Sequence, residues 1–256
     1  QVEFLLNDQV VLTKTENYAE VTLDTSEIPE GPVILQVRAR DRNQNVGLSN
    51  SHAIPVDHTP PALTLDQPLS VTNGATASFS ILSNDDYWGG DCEFRKDGEV
   101  KFADVCGPEE PITAEVPEEG NWEFVAQLND GVGNVNRVVH PFVVDRTAPE
   151  ASFTEGPEEG ARVPAGPVAF TWSTEDGLPV SQECTWDGAE ATPCENSAKV
   201  TPGPGQHTFT VELTDQAGNL TSLSRSFTTL AAPAPADRKP PVVRIMAPKQ
   251  KLGGLH

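Results

Sequence analysis

The chain has 256 residues, enough for one large domain or for two to three domains of ordinary size. Its formal net charge of −21 argues against nucleic acid and anionic membrane surfaces as partners, because both require a basic protein face. Such a charge suits a soluble surface protein, a salt-rich setting or cation binding. The 23 Pro and 20 Gly, with 37% apolar residues, favour short strands joined by turns. No apolar run approaches the roughly 18–20 residues of a membrane span, so no membrane insertion is expected.

The first clear predicted strand lies before the acidic turn "RDRNQN" at 40–45. Leu35, Val37 and Ala39 alternate there with polar residues, and this period of two indicates a strand with one face on a core. A second strand follows the turn and ends in "HAIPVD", at the Pro-rich joint "VDHTPP" of residues 56–61. Strand, turn and strand together predict a β-hairpin.

The same arrangement recurs twice along the chain. The turn returns as "NDGVGN" at 129–134 and as "TDQAGN" at 214–219, and the turn aspartates lie 89 and 85 residues apart. The joint returns as "VDRTAP" at 144–149 and as "ADRKPP" at 236–241. The strands before the later turns carry their apolar residues in the same phase: Phe124, Ala126 and Leu128, then Phe209, Val211 and Leu213. Two independent markers with one period of about ninety residues indicate an internal repeat.

Repeats of this length, with short strands and a turn every 8–12 residues, predict antiparallel two-sheet β-sandwiches. The succession of alternating strand, D-x-x-G-N turn, last strand and V-D-x-T-P-P joint is similar to tandem bacterial immunoglobulin-like (Big-type) repeats. The resemblance covers most of the chain and implies an all-β fold of tandem immunoglobulin-like sandwiches joined by short Pro-containing linkers. It also implies a secreted or cell-surface, adhesin-like parent protein, but it specifies no ligand, because the fold hosts many functions.

The joints divide the chain into four predicted parts. Residues 1–57 form an incomplete domain without its first strands, residues 58–145 and 146–230 form complete domains, and residues 231–256 combine a Pro/Ala linker with the first strand of a further repeat. An incomplete sandwich exposes its core and unpaired strand edges. Two explanations stay open. Either the chain is a fragment cut inside repeats at both ends, or the tail of one copy fills the gap in another by strand donation.

The four cysteines form two local pairs, Cys92 with Cys106 and Cys184 with Cys194, one in each complete domain. Neither spacing is that of a CxxC metal site, and local pairs suggest disulfides in an oxidising compartment. Reduced, buried thiols are the alternative. Each pair brackets a predicted turn, "KDG" or "WDG", and resembles the variant of such domains in which a disulfide clips a hairpin. The expected location is extracellular, at the cell surface or periplasmic.

Carboxylates gather where an immunoglobulin-type sandwich places the joint, the loop after the second strand and the last hairpin turn at one end. One set consists of Asp57, Asp85, Asp86 and Asp130 with Asn134, and the other of Asp145, Glu175, Asp176 and Asp215 with Asn219. Ca²⁺ takes six to eight oxygen ligands, so both sets are candidate sites for a structural Ca²⁺ that stiffens the joints. The alternative is that Asp and Asn in these turns bond only to their own backbone.

The sequence contains no nucleophile elbow, phosphate loop, HExxH or dinucleotide motif, and the expectation is a protein that is not an enzyme. Trp88, in the acidic loop "NDDYWGGD", is expected to be exposed and is the candidate ligand contact. The predicted function is that of stalk or spacer repeats in a bacterial surface or secreted protein that serves adhesion. Its expected partners are neighbouring repeats of the same or another chain and a host or cell-surface protein or glycan. A sugar- or protein-binding module is the alternative, and an accessory domain of a secreted enzyme is a third interpretation.

Overall fold

The structure is a computed structural model that describes residues 1–15, 21–83, 88–233, 238–239 and 242–244. The described residues form 21 β-strands: β1–β5 make a single sheet, and β6–β21 make two tandem immunoglobulin-like sandwiches, which confirms the predicted fold class. The chain divides into two compact units: residues 1–147 with 216–219, and residues 148–215 with 220–256. Among the described residues, no helix has the length and apolar character needed to cross a membrane.

The first repeat forms one sheet within the described part of residues 1–57. Its strands are β1 (Val2–Leu6), β2 (Gln9–Lys14), β3 (Gly31–Arg40), β4 (Val46–Leu48) and β5 (His52–Val56). The order is β2-β1-β3-β4, and β5 pairs with the first half of β3. Leu6, Val33 and Val56 form a small buried cluster with the half-buried Leu23 and Ile28, which lie between β2 and β3.

The second repeat is a two-sheet sandwich within the same unit. Its strands are β6 (Thr64–Asp66), β7 (Val71–Thr72), β8 (Thr76–Leu82), β9 (Gly89–Lys96), β10 (Glu99–Val105), β11 (Ile112–Glu115), β12 (Gly120–Asn129) and β13 (Val135–Val144). The five-stranded sheet has the order β10-β9-β12-β13-β7, in which β7 runs parallel to β13. The three-stranded sheet has the order β11-β8-β6.

The third repeat has the same architecture and lies in the second unit. Its strands are β14 (Glu150–Glu155), β15 (Ala161–Val163), β16 (Val168–Glu175), β17 (Val180–Trp186), β18 (Thr192–Pro193), β19 (Ser197–Val200), β20 (Gly205–Asp215) and β21 (Leu220–Thr229). The sheets are β14-β16-β19 and β15-β21-β20-β17-β18, and β15 runs parallel to β21. The β12–β13 and β20–β21 hairpins are the two that the later acidic turns predict.

Alternation along the strands places apolar side chains between the two sheets of each sandwich. In β12 and β20 every second residue of the central stretch is buried. Phe124 of β12 stacks on Phe79 of β8 with ring centroids 4.4 Å apart, and Phe209 of β20 stacks on Phe170 of β16 at 4.3 Å. Such aromatic pairs stabilise the contact between sheets beyond the effect of apolar burial. In the first repeat, Leu35 of β3 occupies the position of Phe124 and Phe209.

A β-turn recurs at a second place in each repeat, within the loop that joins two paired strands. The turn residues are Asn7-Asp8 between β1 and β2, Asp97-Gly98 between β9 and β10, and Asp187-Gly188 between β17 and β18. Both central residues of each turn have positive φ, which Asn, Asp and Gly adopt more readily than other residues. The latter two turns lie at the predicted "KDG" and "WDG" positions, between the paired cysteines.

Candidate functional site

The turn between β12 and β13 is organised by the carboxylate of Asp130. Its Oδ1 accepts the backbone N–H groups of Val132, Gly133 and Asn134 at 2.7–2.9 Å. Its Oδ2 accepts the side-chain amide of Asn134 at 2.7 Å. Burial opposes the charge, but the Asn134 side chain and the backbone donors outweigh burial and lower the pKa of Asp130. Asp130 therefore shapes the turn as an ionised acceptor.

The turn between β3 and β4 has the same internal bonding. Asp41 Oδ1 accepts the backbone N–H groups of Asn43 and Asn45 at 2.8 Å, and Asp41 Oδ2 accepts the Asn45 side-chain amide at 2.8 Å. The Asn45 side chain, followed by its backbone N–H, lowers the pKa of Asp41. Bonding of the turn residues to their own backbone, one of the two alternatives left by the sequence, is therefore present in both turns.

Asn134 also bonds to the joint in front of its own repeat. Its side-chain Nδ2 donates to the main-chain carbonyl of Asp57 at 3.2 Å, across 77 residues of sequence. Two residues later, the side-chain Nδ2 of Asn136 donates to the carbonyl of Pro61 at 2.9 Å. The hairpin turn of the second repeat thus holds both ends of the joint "VDHTPP".

Asn219 makes the corresponding contact with the next joint. It belongs to the same compact unit as residues 1–147, and its Nδ2 donates to the carbonyls of Asp145 at 3.0 Å and Thr147 at 3.2 Å. Within the second unit, the Thr221 hydroxyl donates to the carbonyl of Pro149 at 2.7 Å. The last residue of the acidic turn therefore binds a joint aspartate carbonyl in both cases.

Glu30, in the loop before β3, also bonds to residues of the first joint. Glu30 Oε1 accepts the His58 N–H at 3.0 Å and the Thr59 hydroxyl at 2.7 Å. The Thr59 N–H in turn bonds to Asp57 Oδ1 at 2.9 Å. The Thr59 hydroxyl, followed by the His58 N–H, lowers the pKa of Glu30. The next residue is Gly31, whose φ of 122° would strain any side chain.

Glu119 repeats these contacts at the second joint. Its Oε1 accepts the Arg146 N–H at 3.0 Å, and its Oε2 accepts the Thr147 hydroxyl at 3.2 Å. The Thr147 N–H bonds to Asp145 Oδ1 at 2.9 Å, and the Arg146 guanidinium donates to the Gly74 carbonyl at 2.7 Å. We call these contacts the joint clamp, which consists of Glu30, Asp57 and Thr59 at the first joint and of Glu119, Asp145 and Thr147 at the second.

The first set of predicted Ca²⁺ ligands is only partly described. Asp57 takes part in the first joint clamp. Asp130 bonds to Asn134 within its own β-turn, and the Asn134 side chain also bonds to the Asp57 carbonyl. Asp85 and Asp86 lie outside the described residues. The structure therefore places two of the four acidic residues at the first joint, and Ca²⁺ binding there stays a prediction.

The second set is divided between the two compact units. Asp145 lies in the first unit, as part of its joint clamp. Asp176 and the buried Asp215 lie in the second unit, where oxygens of their two carboxylates are within 4.8 Å of each other. Asp176 Oδ1 also accepts the Leu178 N–H at 2.7 Å, and Glu175 is exposed at the end of β16. The pair of neighbouring carboxylates could share a cation, which is likewise a prediction.

Both predicted disulfides are present in the structure. Cys92 of β9 is bonded to Cys106 just after β10, and Cys184 of β17 is bonded to Cys194 just after β18. The bridges close loops of 14 and 10 residues that contain the Asp-Gly turns. Cys92 packs in the sandwich core with Phe94, so the first bridge ties the edge strand β10 to that core.

Trp88 lies immediately before β9, and 82% of its surface is exposed. The backbone N–H of Trp88 donates to the Asn129 carbonyl at 2.8 Å, and this bond connects the main chain at Trp88 to the end of β12. An open cavity of about 640 Å³ beside Trp88 is also lined by Phe102, Val105 and Glu109. An exposed aromatic face next to a carboxylate suits a sugar ring or a cationic group, and Trp88 stays a candidate ligand contact.

The second unit contains an ion pair between His207 and the turn residue Asp187. His207 Nδ1 faces Asp187 Oδ2 at 2.7 Å, and Nε2 faces the Gly203 carbonyl at 2.8 Å. The His207 ring stacks on Trp186 with centroids 5.2 Å apart, and its side chain is only 12% exposed. The bond to Asp187 raises the pKa of His207 against the opposing effect of burial. Because both ring nitrogens face acceptors, the imidazolium form fits this position.

Sequence reasoning missed the glutamates of the joint clamp, although a signal for them exists. Glu30 and Glu119 lie 89 residues apart, and each directly precedes a glycine that opens a strand. The His207–Asp187 pair has no such signal, because its partners meet only after β17 and β20 have paired.

Comparisons with known proteins find resemblances of fold at low sequence identity. The sequence matches no protein-family model and no curated protein. It is similar to the fibronectin(III)-like modules of Clostridium thermocellum CbhA, with 15% identity and a TM-score of 0.45 over 70% of this chain and 99% of that one. A 1.5-MDa bacterial ice-binding adhesin gives 15% identity and a TM-score of 0.40, over 68% of this chain and 67% of that one.

The N-terminal eight immunoglobulin domains of Down Syndrome Cell Adhesion Molecule are similar as well. The identity is 12% and the TM-score 0.38, over 89% of this chain and 37% of that one. Likeness at this level carries no inference about function. The assignment of the fold rests on the sheets themselves.

Proposed function

We propose that the chain is a set of structural spacer repeats from a secreted or cell-surface protein that serves adhesion, of the bacterial immunoglobulin-like kind that its sequence resembles. Its role is mechanical and not enzymatic. Each repeat folds around its own core, and the joints restrict bending, so that a functional tip is held away from its anchor. The joint clamp, which occurs twice with the same contacts, is the observation that carries this proposal.

The clamp supports a spacer because it fixes a segment that would otherwise be free to rotate. Pro60 and Pro61 restrict the backbone of the first joint by their fixed φ. Glu30 and Asp57 then hold the residues just before these prolines through a hydroxyl and two backbone N–H groups. Asn134 holds the carbonyl side of the same joint. A binding module has no comparable need for such a joint.

Spin-label distances across the first joint test this proposal. Val10 of β2 and Val100 of β10 are equivalent, exposed positions, and all four native cysteines are in disulfides, so Val10→Cys with Val100→Cys provides specific labels. We expect a narrow distance distribution in the parent chain. We expect a broader one in Glu30→Ala, which removes both bonds to Glu30, and a smaller broadening in Thr59→Val, which removes the hydroxyl bond alone.

Glu27→Ala is the matched control, since Glu27 is an exposed glutamate of the same loop and lies outside the clamp. It should leave the distribution narrow. A distribution that is broad in the parent chain, or equally narrow with and without Glu30, would contradict the spacer role of the clamp.

A second candidate function is favoured by the exposure of Trp88. In that case the second repeat binds a glycan or protein through the surface around Trp88, Phe102 and Val105. Screening the chain against a glycan array, with Trp88→Ala as comparison, tests this function. Binding that is lost in Trp88→Ala but kept in Trp122→Phe, a conservative change in the core, would support it.

A further inference from the structure

The outer face of the five-stranded sheet in the second repeat contains an open cavity of about 500 Å³. It lies over Val125 of β12, which is on the outer face because its neighbours Phe124 and Ala126 pack in the core. Val125 is nevertheless only 3% exposed. Polar side chains surround it in the cavity: Asp91, Glu93, Arg95, Asp104, Gln127 and Arg137. The cavity is thus a polar depression with a small apolar floor.

Three of these side chains form one row across neighbouring strands. Asp91 of β9 is in register with Gln127 of β12, and Gln127 is in register with Arg137 of β13. Neighbouring strands are about 4.8 Å apart, so the acid and the base are separated by roughly 10 Å at the two ends of the row. Among the described residues, none of the three side chains has a hydrogen-bond or ion-pair partner. The row therefore presents an acid, an amide and a base that are free to bind a partner.

The equivalent rows of the other two repeats are built differently. In each repeat the central residue lies three positions before the turn aspartate. In the third repeat the row is Glu183, Glu212 and Ser222, with two acids and no base. In the first repeat Glu3 and Arg38 are in register and form an ion pair at 2.6 Å. Of the three rows in the described part of the chain, only that of the second repeat has an acid and a base without a partner inside the repeat.

The neighbouring row differs between the two complete repeats as well. In the third repeat, Thr210 and Ser224 are in register, and their hydroxyls face each other at 3.3 Å. The second repeat has Val125 and Val139 at these positions. At the rim of the cavity, Val105 is 72% exposed. This face thus combines apolar surface with charges of both signs, which suits contact with a protein surface of complementary charge.

The order of charges along the row is complementary to itself. If two copies of the sheet face each other about a two-fold axis along β12, Asp91 of each copy lies opposite Arg137 of the other, and Gln127 lies opposite its own equivalent. An axis across the strands at this row would instead place like charges opposite each other. Aligned sheets pack about 10 Å apart with their strands within about 30° of each other. A short aspartate and a long arginine side chain can meet across that distance.

We propose that the outer face of the second repeat pairs with the same face of a second copy of this chain, through two reciprocal contacts between Asp91 and Arg137. The strands of the two facing sheets run in the same direction, because the axis is parallel to β12. The contact is isologous and closes at two copies. Each copy has a net charge of −21, so general repulsion opposes the contact, and the two local charge pairs provide its attraction.

Sedimentation velocity of the full chain, at protein concentrations up to about 1 mM, tests this proposal. The weight-average mass should rise towards that of two copies and no further. Arg137→Asp should weaken dimerisation at least about 100-fold, because each reciprocal contact becomes acid against acid, and Asp91→Arg should weaken it similarly. Arg162→Asp in β15 and Asp66→Arg in β6 make the same charge changes at exposed positions elsewhere. They should change the dissociation constant less than about fivefold.

A charge-exchange experiment makes the test specific to this row. An equimolar mixture of Arg137→Asp and Asp91→Arg should form dimers again, because one variant offers two acids and the other two bases. The double variant Asp91→Arg with Arg137→Asp should dimerise by itself, since the exchanged row is again complementary to itself. Should either single variant fail to fold by circular dichroism, the double variant decides the matter. A parent chain that stays monomeric, a double variant that does not associate, or equal weakening by Arg137→Asp and Arg162→Asp would overturn the proposal.

Discussion

The side-chain amide of Asn134 donates to Asp130 Oδ2 in its own turn and to the carbonyl of Asp57, 77 residues earlier in the chain. A primary amide has two N–H donors, and here each has a different task. One fixes the side chain on the turn, and the other connects the turn to the joint. In the second repeat, the Asp-x-x-x-Asn turn thereby has a role beyond its own shape: Asp130 orients the asparagine that binds the joint.

Replacement of Asn134 is therefore expected to loosen the first joint. Asn134→Ala removes the bond to the Asp57 carbonyl and leaves the clamp residue Thr59 less constrained. We expect the backbone amides of His58 and Thr59 to exchange with solvent deuterium about fivefold faster, because one hydrogen bond stabilises by roughly 1 kcal/mol. Hydrogen–deuterium exchange of the peptide that covers the joint measures this change.

Asn45→Ala provides the control for the turn itself. Asn45 bonds to Asp41 as Asn134 bonds to Asp130, but the described contacts of Asn45 stay inside its turn. Asn45→Ala should destabilise the β3–β4 turn and leave the deuterium exchange of the His58 and Thr59 backbone amides unchanged. Equal acceleration in both variants would mean that Asn134 acts only through its turn.

The His207–Asp187 pair predicts a pH-dependent stability of the second unit. The pKa of His207 is raised above its usual 6.5, so the folded state keeps a proton that the unfolded state has lost. The stabilisation is complete below pH 6.5 and is lost as the pH rises through the raised pKa. Burial opposes the charge of Asp187, but the bonds from the His207 side chain and the Thr208 N–H together outweigh burial and lower the pKa of Asp187 from its usual 3.8. Denaturant unfolding should therefore show the largest contribution between pH 3.8 and 6.5.

Asp187→Asn isolates the charge of this pair. Asparagine tolerates the positive φ of 50° at this position and keeps an oxygen for the Thr208 N–H, but it carries no charge. We expect the pKa of His207, measured by NMR titration, to fall towards 6.5 and the pH dependence to flatten. Asp97→Asn, at the equivalent turn of the second repeat, should leave the profile intact. An unchanged profile in Asp187→Asn would assign the pH dependence to other groups.

Loss of either disulfide should destabilise its repeat by a similar amount. For loops of 10 and 14 residues, the loop-entropy estimate is about 3 kcal/mol in each case. Cys184→Ala with Cys194→Ala, and Cys92→Ala with Cys106→Ala, can be compared by urea denaturation. Non-reducing peptide mapping of the parent chain should recover both bonds within their repeats. A bond between different repeats would contradict the hairpin clips.

Much of the fold could be predicted from the sequence because its signals are local and occur three times. Apolar residues that alternate with polar ones, as at Phe124 and Phe209, indicate a strand with one buried face, and an Asp-Gly pair indicates a tight turn. The short parallel strands β7 and β15 were not predicted. They have two and three residues and depend on pairing with β13 and β21, which lie far away in sequence.

The contacts of the joint were harder to predict, since they combine residues from three separate segments. The sequence drew attention to Asp57 and Asp130 as oxygen donors for a cation. The structure shows what else these carboxylates do: one accepts the Thr59 N–H, and the other accepts the donors of its own turn. No pattern within a single segment could reveal Glu30, whose partners lie about thirty residues further on.

Binding of Ca²⁺ at the joints is a prediction that a thermal titration can check. If Ca²⁺ binds only the folded state, Tm should rise with the logarithm of its concentration. Asp176→Asn with Asp215→Asn should abolish the rise if the second set holds the ion. Asp66→Asn, an exposed aspartate of β6, is the control for the change in charge. Identical melting curves in chelator and in millimolar Ca²⁺ would leave only the hydrogen-bonding role of these residues.

The third joint, "ADRKPP" at 236–241, has other residues at two of the three positions that form the joint clamp. Pro204 precedes Gly205 at the start of β20, where the second repeat has Glu119 before Gly120. Lys239 stands two residues after the joint aspartate, where the second joint has Thr147. A proline side chain offers no acceptor, and a lysine offers no hydroxyl. We therefore expect the linker at 231–239 to be cleaved by proteases faster than either clamped joint.

Installing the missing residues should transfer the clamp to this joint. In Pro204→Glu with Lys239→Thr, the new carboxylate can accept the threonine hydroxyl as Glu119 does, and we expect cleavage in the linker to slow at least about threefold at neutral pH. Pro204→Ala with Lys239→Thr is the matched control, because it makes the same backbone change without the acceptor and should be cleaved as fast as the parent chain. The protection should also disappear at acidic pH, where the glutamate is protonated and the threonine hydroxyl no longer faces a charged acceptor. Equal protection in both double variants would instead assign the effect to the loss of Pro204, and the joint clamp would then not be a transferable unit of this chain.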